Sequence, residues 1–130
     1  MNISRRLNRL AELVTEGSRL ADVGTDHGYV PLCLCREKKI PSAIAMDINE
    51  GPLKRAKSHI ADAGLENYIE TRLSDGLHEL RGGEADTVLI AGMGGALMVR
   101  ILTEGTRALM GVRELVLQPQ SEIDEVRRWL

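Results

Sequence analysis

Apolar positions along this chain follow two alternating patterns. Ile3, Leu7, Leu10 and Val14 recur three and four residues apart, which puts them on one face of an amphipathic helix that stops at Gly17. Short apolar runs come next, and residues 19–23, 43–46 (leading into Asp47), 68–73, 87–91 and 114–118 read as strands. Between them, residues 29–39, 52–63 and 96–103 read as helices. The first of these carries Pro31 in its opening turn, where a missing N–H is harmless, and the second is closed by Gly64. A shorter helical segment is expected over residues 77–80, broken by Gly82 and Gly83, and residues 121–125 read as the start of a capped helix.

Strands that are apolar throughout and alternate with helices predict a mainly parallel sheet covered on both faces, an α/β doubly wound fold. Residues 1–130 are expected to form one domain, with the sheet cut short after its fifth strand. Composition narrows the classes: 43% of residues are hydrophobic and 28% charged, and the formal net charge of −2 excludes a uniformly basic nucleic-acid clamp, so any RNA contact needs a local patch. The first residues lack the apolar core of a signal peptide, and no apolar run is long enough to span a membrane. Cys33 and Cys35, two apart in one helix, point to different faces and read as reduced thiols of a cytoplasmic protein. No Cys/His spacing suits a metal.

Candidate chemistry concentrates at the strand ends, where ligands bind in open parallel sheets. After the first strand, Asp22, Gly24, Asp26, His27 and Gly28 form a tight turn opening a helix at Tyr29. Its Gly-x-x-x-Gly spacing is not the dinucleotide fingerprint. Flanking carboxylates repel phosphate and favour a cationic or amino-bearing ligand. Asp47 ends the second strand, followed by Ile48 and Asn49, and suits the two hydroxyls of a ribose. Asp75 with Gly76, after the third, can accept from an exocyclic amino group, and Asp26 or Asp22 can face an ammonium. Gly92, Met93 and Gly94 end the fourth strand, and Gln118, Pro119 and Gln120 the fifth. The set describes a site for adenosine joined to an amino acid. Plainer readings stand beside it: Asp22 bonding its own turn, His27 as a packing residue, and His59 and His78 at the surface. Arg5, Arg6 and Arg9 suit phosphate, or a salt-bridged face with Glu12 and Glu16.

These motifs resemble class I S-adenosylmethionine-dependent methyltransferases. The wording of residues 22–29 together with Gly92-Met93-Gly94-Gly95 and Gln118-Pro119-Gln120 is similar to the bacterial tRNA (adenine-N1)-methyltransferase family, which modifies adenine 22 of tRNA. The resemblance implies a Rossmann-like sheet of the class I type, S-adenosyl-L-methionine as cofactor, tRNA as partner, and no metal. It also implies that Gly24, Asp26 and Gly28 line the methionine end of the cofactor, that Asp47 holds the ribose, that Ile48 packs on the adenine, and that Asp75 and Gly76 hold its edge. Gly92, Met93 and Gly94 would stand where amine-methylating relatives carry an Asn/Asp-Pro-Pro-Tyr motif. Asp26 or His27 would face the acceptor ring, with Tyr29, Gln118, Pro119 and Gln120 toward the substrate. The family's helical carboxy-terminal domain has no counterpart here. The remaining alternatives are a small-molecule or protein acceptor, and a non-catalytic nucleoside-binding fragment.

Overall fold

The computed structural model describes residues 5–130, so Ile3 lies outside the described residues. Helices α1 (Arg5–Leu13), α2 (Tyr29–Arg36), α3 (Glu50–Asp62), α4 (Gly95–Glu104) and α5 (Ile123–Trp129) alternate with strands β1 (Leu20–Val23), β2 (Ala43–Asp47), β3 (Ile69–Leu73), β4 (Thr87–Gly94) and β5 (Glu114–Ser121). The strands form one sheet in the order β3-β2-β1-β4-β5, with every neighbouring pair parallel. The expected Rossmann-like α/β architecture is therefore met. The order reverses between β1 and β4, and a crevice opens there beyond the carboxyl ends.

Alternation along the inner strands β1, β2 and β4 sends side chains into two separate cores. Leu20, Ala43, Ala45 and Leu89 pack with Leu10 of α1, Val30 and Leu34 of α2 and Ile60 of α3. Ala21, Val23, Met46, Val88 and Ile90 pack on the opposite face with Met98 and Leu102 of α4 and Val126 of α5. Burial on both faces is why these strands read as continuous apolar runs.

Several boundaries differ from the expectation. The glycine run after residue 91 is strand rather than loop: β4 and β5 stay paired through Gly94 and Ser121, with register shifts between Ala91 and Met93 and between Met93 and Gly94. These bulges let the pair bend over the crevice without separating. Helix α2 ends at Arg36 rather than at residue 39, because Lys38 turns left-handed (φ 59°) and Lys39 N–H folds back to Leu34 O. Residues 77–80 form turns instead of a helix, since Leu77 and Leu80 act as separate buried anchors and Ser74 Oγ takes the Glu79 N–H. Helix α5 lacks the expected side-chain cap: Glu122, its N-cap, is left-handed (φ 56°), and its carboxylate turns instead toward Ala96 N–H at the start of α4 (3.5 Å). Cys33 and Cys35 are buried and free, and burial pushes the Cys35 thiol up to about 11.

Gly28 joins the sheet layer to its helices. Its φ is +74°, and a Cβ there would lie 3.1 Å from Ala56 Cβ of α3. Gly64, at φ +70° after α3, has open space instead. Gly64→Ala is therefore expected to lose about 1 kcal/mol in urea unfolding from left-handed strain alone. Gly28→Ala is expected to lose about 1–3 kcal/mol more, because the added methyl must displace α3. Equal losses at the two positions would contradict this packing role.

Candidate functional site

A cleft of about 560 Å³ lies over the carboxyl ends of the strands. Its floor is the turn after β1, pinned to β2 because Gly24 N–H and Thr25 N–H both donate to Met46 O, at 2.9 and 2.8 Å. Gly24 (φ +74°) and Asp26 (φ 58°) are both left-handed, a conformation uncommon for a residue with a side chain. The Asp26 peptide is thereby turned so that its N–H donates to Asp47 Oδ2 at 3.2 Å. Asn49 N–H donates to Asp47 Oδ1 at 2.9 Å. Each oxygen of this nearly buried carboxylate thus has one backbone donor, and its remaining lone pairs are available at the edge of the cleft.

Asp22 sits deeper. It is 6% exposed and accepts the Thr25 hydroxyl at 2.8 Å. Burial pushes its carboxyl up to about 7; the Thr25 hydrogen bond opposes that rise, and the charges of Asp47 and Asp26 add to it. The plain reading of Asp22 and its place on the cleft both hold, since it bonds its own turn and lines the floor. Asp75, after β3, is exposed and borders the cleft beside Gly76. Ile48 is 58% exposed although it borders the cleft, leaving an apolar surface next to Asp47 for a flat ring to cover.

Along the opposite wall, Gly92 (φ +76°) opens onto the cleft and Met93 leans over the first turn, its Cε within 2.7 Å of where a Gly24 Cβ would be. Gly94 and Gly95 are glycines for a different reason: the corner at Ser121 and Glu122 packs directly on them. The structure thus brings Asp22, Gly24, Asp26 and His27 together with Tyr29, Asp47, Ile48 and Asn49. It adds Asp75 and Gly76 beyond β3, and Gly92, Met93 and Gln120 from β4 and β5 on the opposite wall. Gly28, Gly94, Gln118 and Pro119 do not line the cleft. Gly28 serves helix packing, and Gln118 binds an arginine that does line it.

Sequence reasoning left Leu97 and Arg100 of α4 unassigned, and Ser74 as a turn residue only, yet all three border the cleft. Only the arrival of α4 at the crevice reveals them. His59 is corrected as well: it is half-buried, its Nδ1 lies 3.0 Å from His27 O, and its ring stacks on Tyr29 at 5.4 Å. His27 stacks on the same tyrosine at 5.2 Å; of these three rings His27 and Tyr29 line the cleft, and His59 packs behind them. His78 is exposed as expected, beside Glu104. Among the described residues no group of His, Cys, Asp and Glu could hold a metal, and no helix is long and apolar enough to cross a membrane.

An acidic floor, a carboxylate poised for a diol, an exposed apolar shelf and no phosphate cradle fit an adenosine bearing an amino-acid tail. Comparison with known proteins points the same way. The chain is 41% identical over 130 residues to the tRNA (adenine(22)-N(1))-methyltransferase of Bacillus subtilis, spanning all of this chain but 55% of that enzyme. It superposes with a TM-score of 0.96 on Streptococcus pneumoniae Sp1610 in complex with S-adenosyl-L-methionine, at 42% identity over 99% of this chain and 61% of that one. With M. capricolum TrmK, solved with S-adenosyl-homocysteine, the TM-score is 0.85 and the identity 31%, over 98% of this chain and 56% of that one. The methyltransferase-domain family model matches residues 3–130, and the chain belongs to that family.

Proposed function

We propose that this chain is the cofactor-binding and methyl-transferring domain of a cytoplasmic tRNA methyltransferase, acting on N1 of adenine 22. The observation that carries the reading is the Asp47 carboxylate, oriented by Asp26 N–H and Asn49 N–H toward a cleft whose floor is acidic. S-adenosyl-L-methionine, when bound, supplies a methyl group activated by its sulfonium. Asp47 accepts the two ribose hydroxyls, and Ile48 offers its exposed side chain to the adenine face. Asp75 accepts from the adenine amino group, while Asp22 and Asp26 balance the ammonium and the sulfonium charge.

Adenine N1 is unprotonated at neutral pH and carries its own lone pair, so no base is required. Positioning in line with the methyl group supplies most of the acceleration. The acceptor ring gains a positive charge on methylation, and the exposed carboxylate of Asp26, 3.7 Å from His27 Nε2, is the group placed to stabilise it. The stacked rings of His27 and Tyr29 on the cleft, backed by His59, give an extruded base an aromatic wall.

Calorimetric titration of the cofactor into the chain tests the site: Asp47→Ala is expected to weaken binding at least tenfold, about 1.4 kcal/mol. A folded parent that fails to bind would overturn the reading. Transfer of labelled methyl to unmodified tRNA, with mapping of the product base, tests the acceptor, and labelling of a protein or small molecule instead would reassign it.

Asp22 adds a pH dependence of known sign. The folded chain keeps this proton up to about pH 7, whereas an unfolded carboxyl loses it near pH 4. Folding stability therefore falls as pH rises through that window. Thermal unfolding should show Asp22→Asn gaining on the parent between about pH 4 and 7, with a constant difference above. Cofactor affinity moves oppositely, because a cationic ligand selects the ionised form. The parent's dissociation constant should rise about tenfold from pH 8 to pH 6, and that of Asp22→Asn should not.

A further inference from the structure

The cleft is electrically divided. Its carboxylates Asp22, Asp26, Asp47 and Asp75 follow or end β1, β2 and β3, while its arginines come from α1 and α4: Arg100 on α4, and Arg6, which is held at the end of β5. Arg6 of α1 reaches across and donates from Nη1 to Gln118 Oε1 at 2.9 Å. Among the described residues no carboxylate forms an ion pair with it, so a neutral amide anchors the cation. Beneath it Gly92 presents bare backbone: a Cβ there would meet only Arg6 Nη1 at 3.6 Å and Gln120 Nε2 at 3.7 Å. A guanidinium has five N–H donors, and Gln118 takes one, so this corner is rich in donors.

A held cation without a counter-charge, beside an open backbone, suits an oxyanion. It does not suit the cofactor, whose ammonium and sulfonium are cationic. With the cofactor over β1 and β2, an acceptor nucleotide enters over β4 and β5, and its permanent charge is the phosphodiester. The chain's net charge of −2 gives no general attraction to RNA, so the cations at the cleft, Arg6 and Arg100, have to supply it, and of the two Arg6 is the one held beside the bare backbone of Gly92.

We propose that Arg6, latched by Gln118 above Gly92, grips the phosphodiester next to the acceptor nucleotide and so sets the base over the cleft. This rests on the cofactor and RNA reading given above. Arg6 is a positioning residue: its fork accommodates two phosphate oxygens, which a lysine cannot match.

The test is binding of an unmodified tRNA transcript to the cofactor-saturated chain, by fluorescence anisotropy at several salt concentrations, with cofactor affinity measured separately by calorimetry. Arg6→Ala is expected to weaken RNA binding about tenfold and to lower the slope of log affinity against log salt by about 1, with cofactor affinity unchanged. Arg6→Lys should keep the slope while losing part of the affinity. Arg36→Ala, an exposed arginine away from the cleft, should change neither. An Arg6→Ala variant with parental RNA affinity and slope overturns the proposal. So does loss of cofactor binding in that variant, which would assign Arg6 to the cofactor site, and so does a parent that binds cofactor but no RNA. A folded parent that binds no cofactor removes the reading beneath it, and is recognised as such by calorimetry alone.

Discussion

The cleft depends on one carboxylate. Asp47 closes β2 and receives backbone N–H groups from two directions, Asp26 in the turn after β1 and Asn49 at the head of α3. The hydrogen bonds from Gly24 and Thr25 to Met46 O fix the turn to β2, but Asp47 sets the tilt of the Asp26 peptide and supports its left-handed backbone. A charged acceptor satisfied by peptide donors is more tightly oriented than one satisfied by water. That orientation leaves one edge of the carboxylate directed toward the cleft. Binding capacity and turn geometry are therefore two results of the same contact.

Around that contact the acidic groups differ in environment and hence in behaviour. Asp22 is buried beneath the turn and holds its proton at a pH where ordinary carboxyls have lost theirs. Asp26 is largely open to solvent. Proximity of like charges is tolerated because the deepest one need not be ionised when the cleft is empty. A cationic ligand removes the reason for staying neutral, so the floor is adaptable in charge while its backbone stays fixed.

Much of the fold was legible because the three inner strands, β1, β2 and β4, are buried on both faces, which writes an apolar run such as Val88 to Ala91 directly into the sequence. The strand-end acids were legible for the same reason: Asp22 and Asp47 interrupt or terminate such runs. What escaped was set by distant partners. Gly92 and Gly94 look alike in sequence, yet one opens onto the cleft and the other lies beneath the Ser121–Glu122 corner. Gly28 looked like a ligand-approach glycine and instead admits Ala56. His59 read as a surface residue because nothing local announces that α3 carries it to His27 and Tyr29. Leu97 and Arg100 lie on a helix whose sequence gives no hint of the crevice it borders.

The packing of Gly94 and Gly95 under the corner at Ser121 and Glu122 bears on how the site comes into being during synthesis. The central strand β1 is bordered by β2 and β4, so one of its edges waits for a segment made much later. On the ribosome, β1 to β3 emerge first with every carboxylate of the cleft floor. The wall opposite needs β4 seated and the β5–α5 corner closed over its two glycines. A nascent chain would thus possess the acidic half of the cleft well before the wall opposite, and one edge of β1 would stay open until β4 arrives.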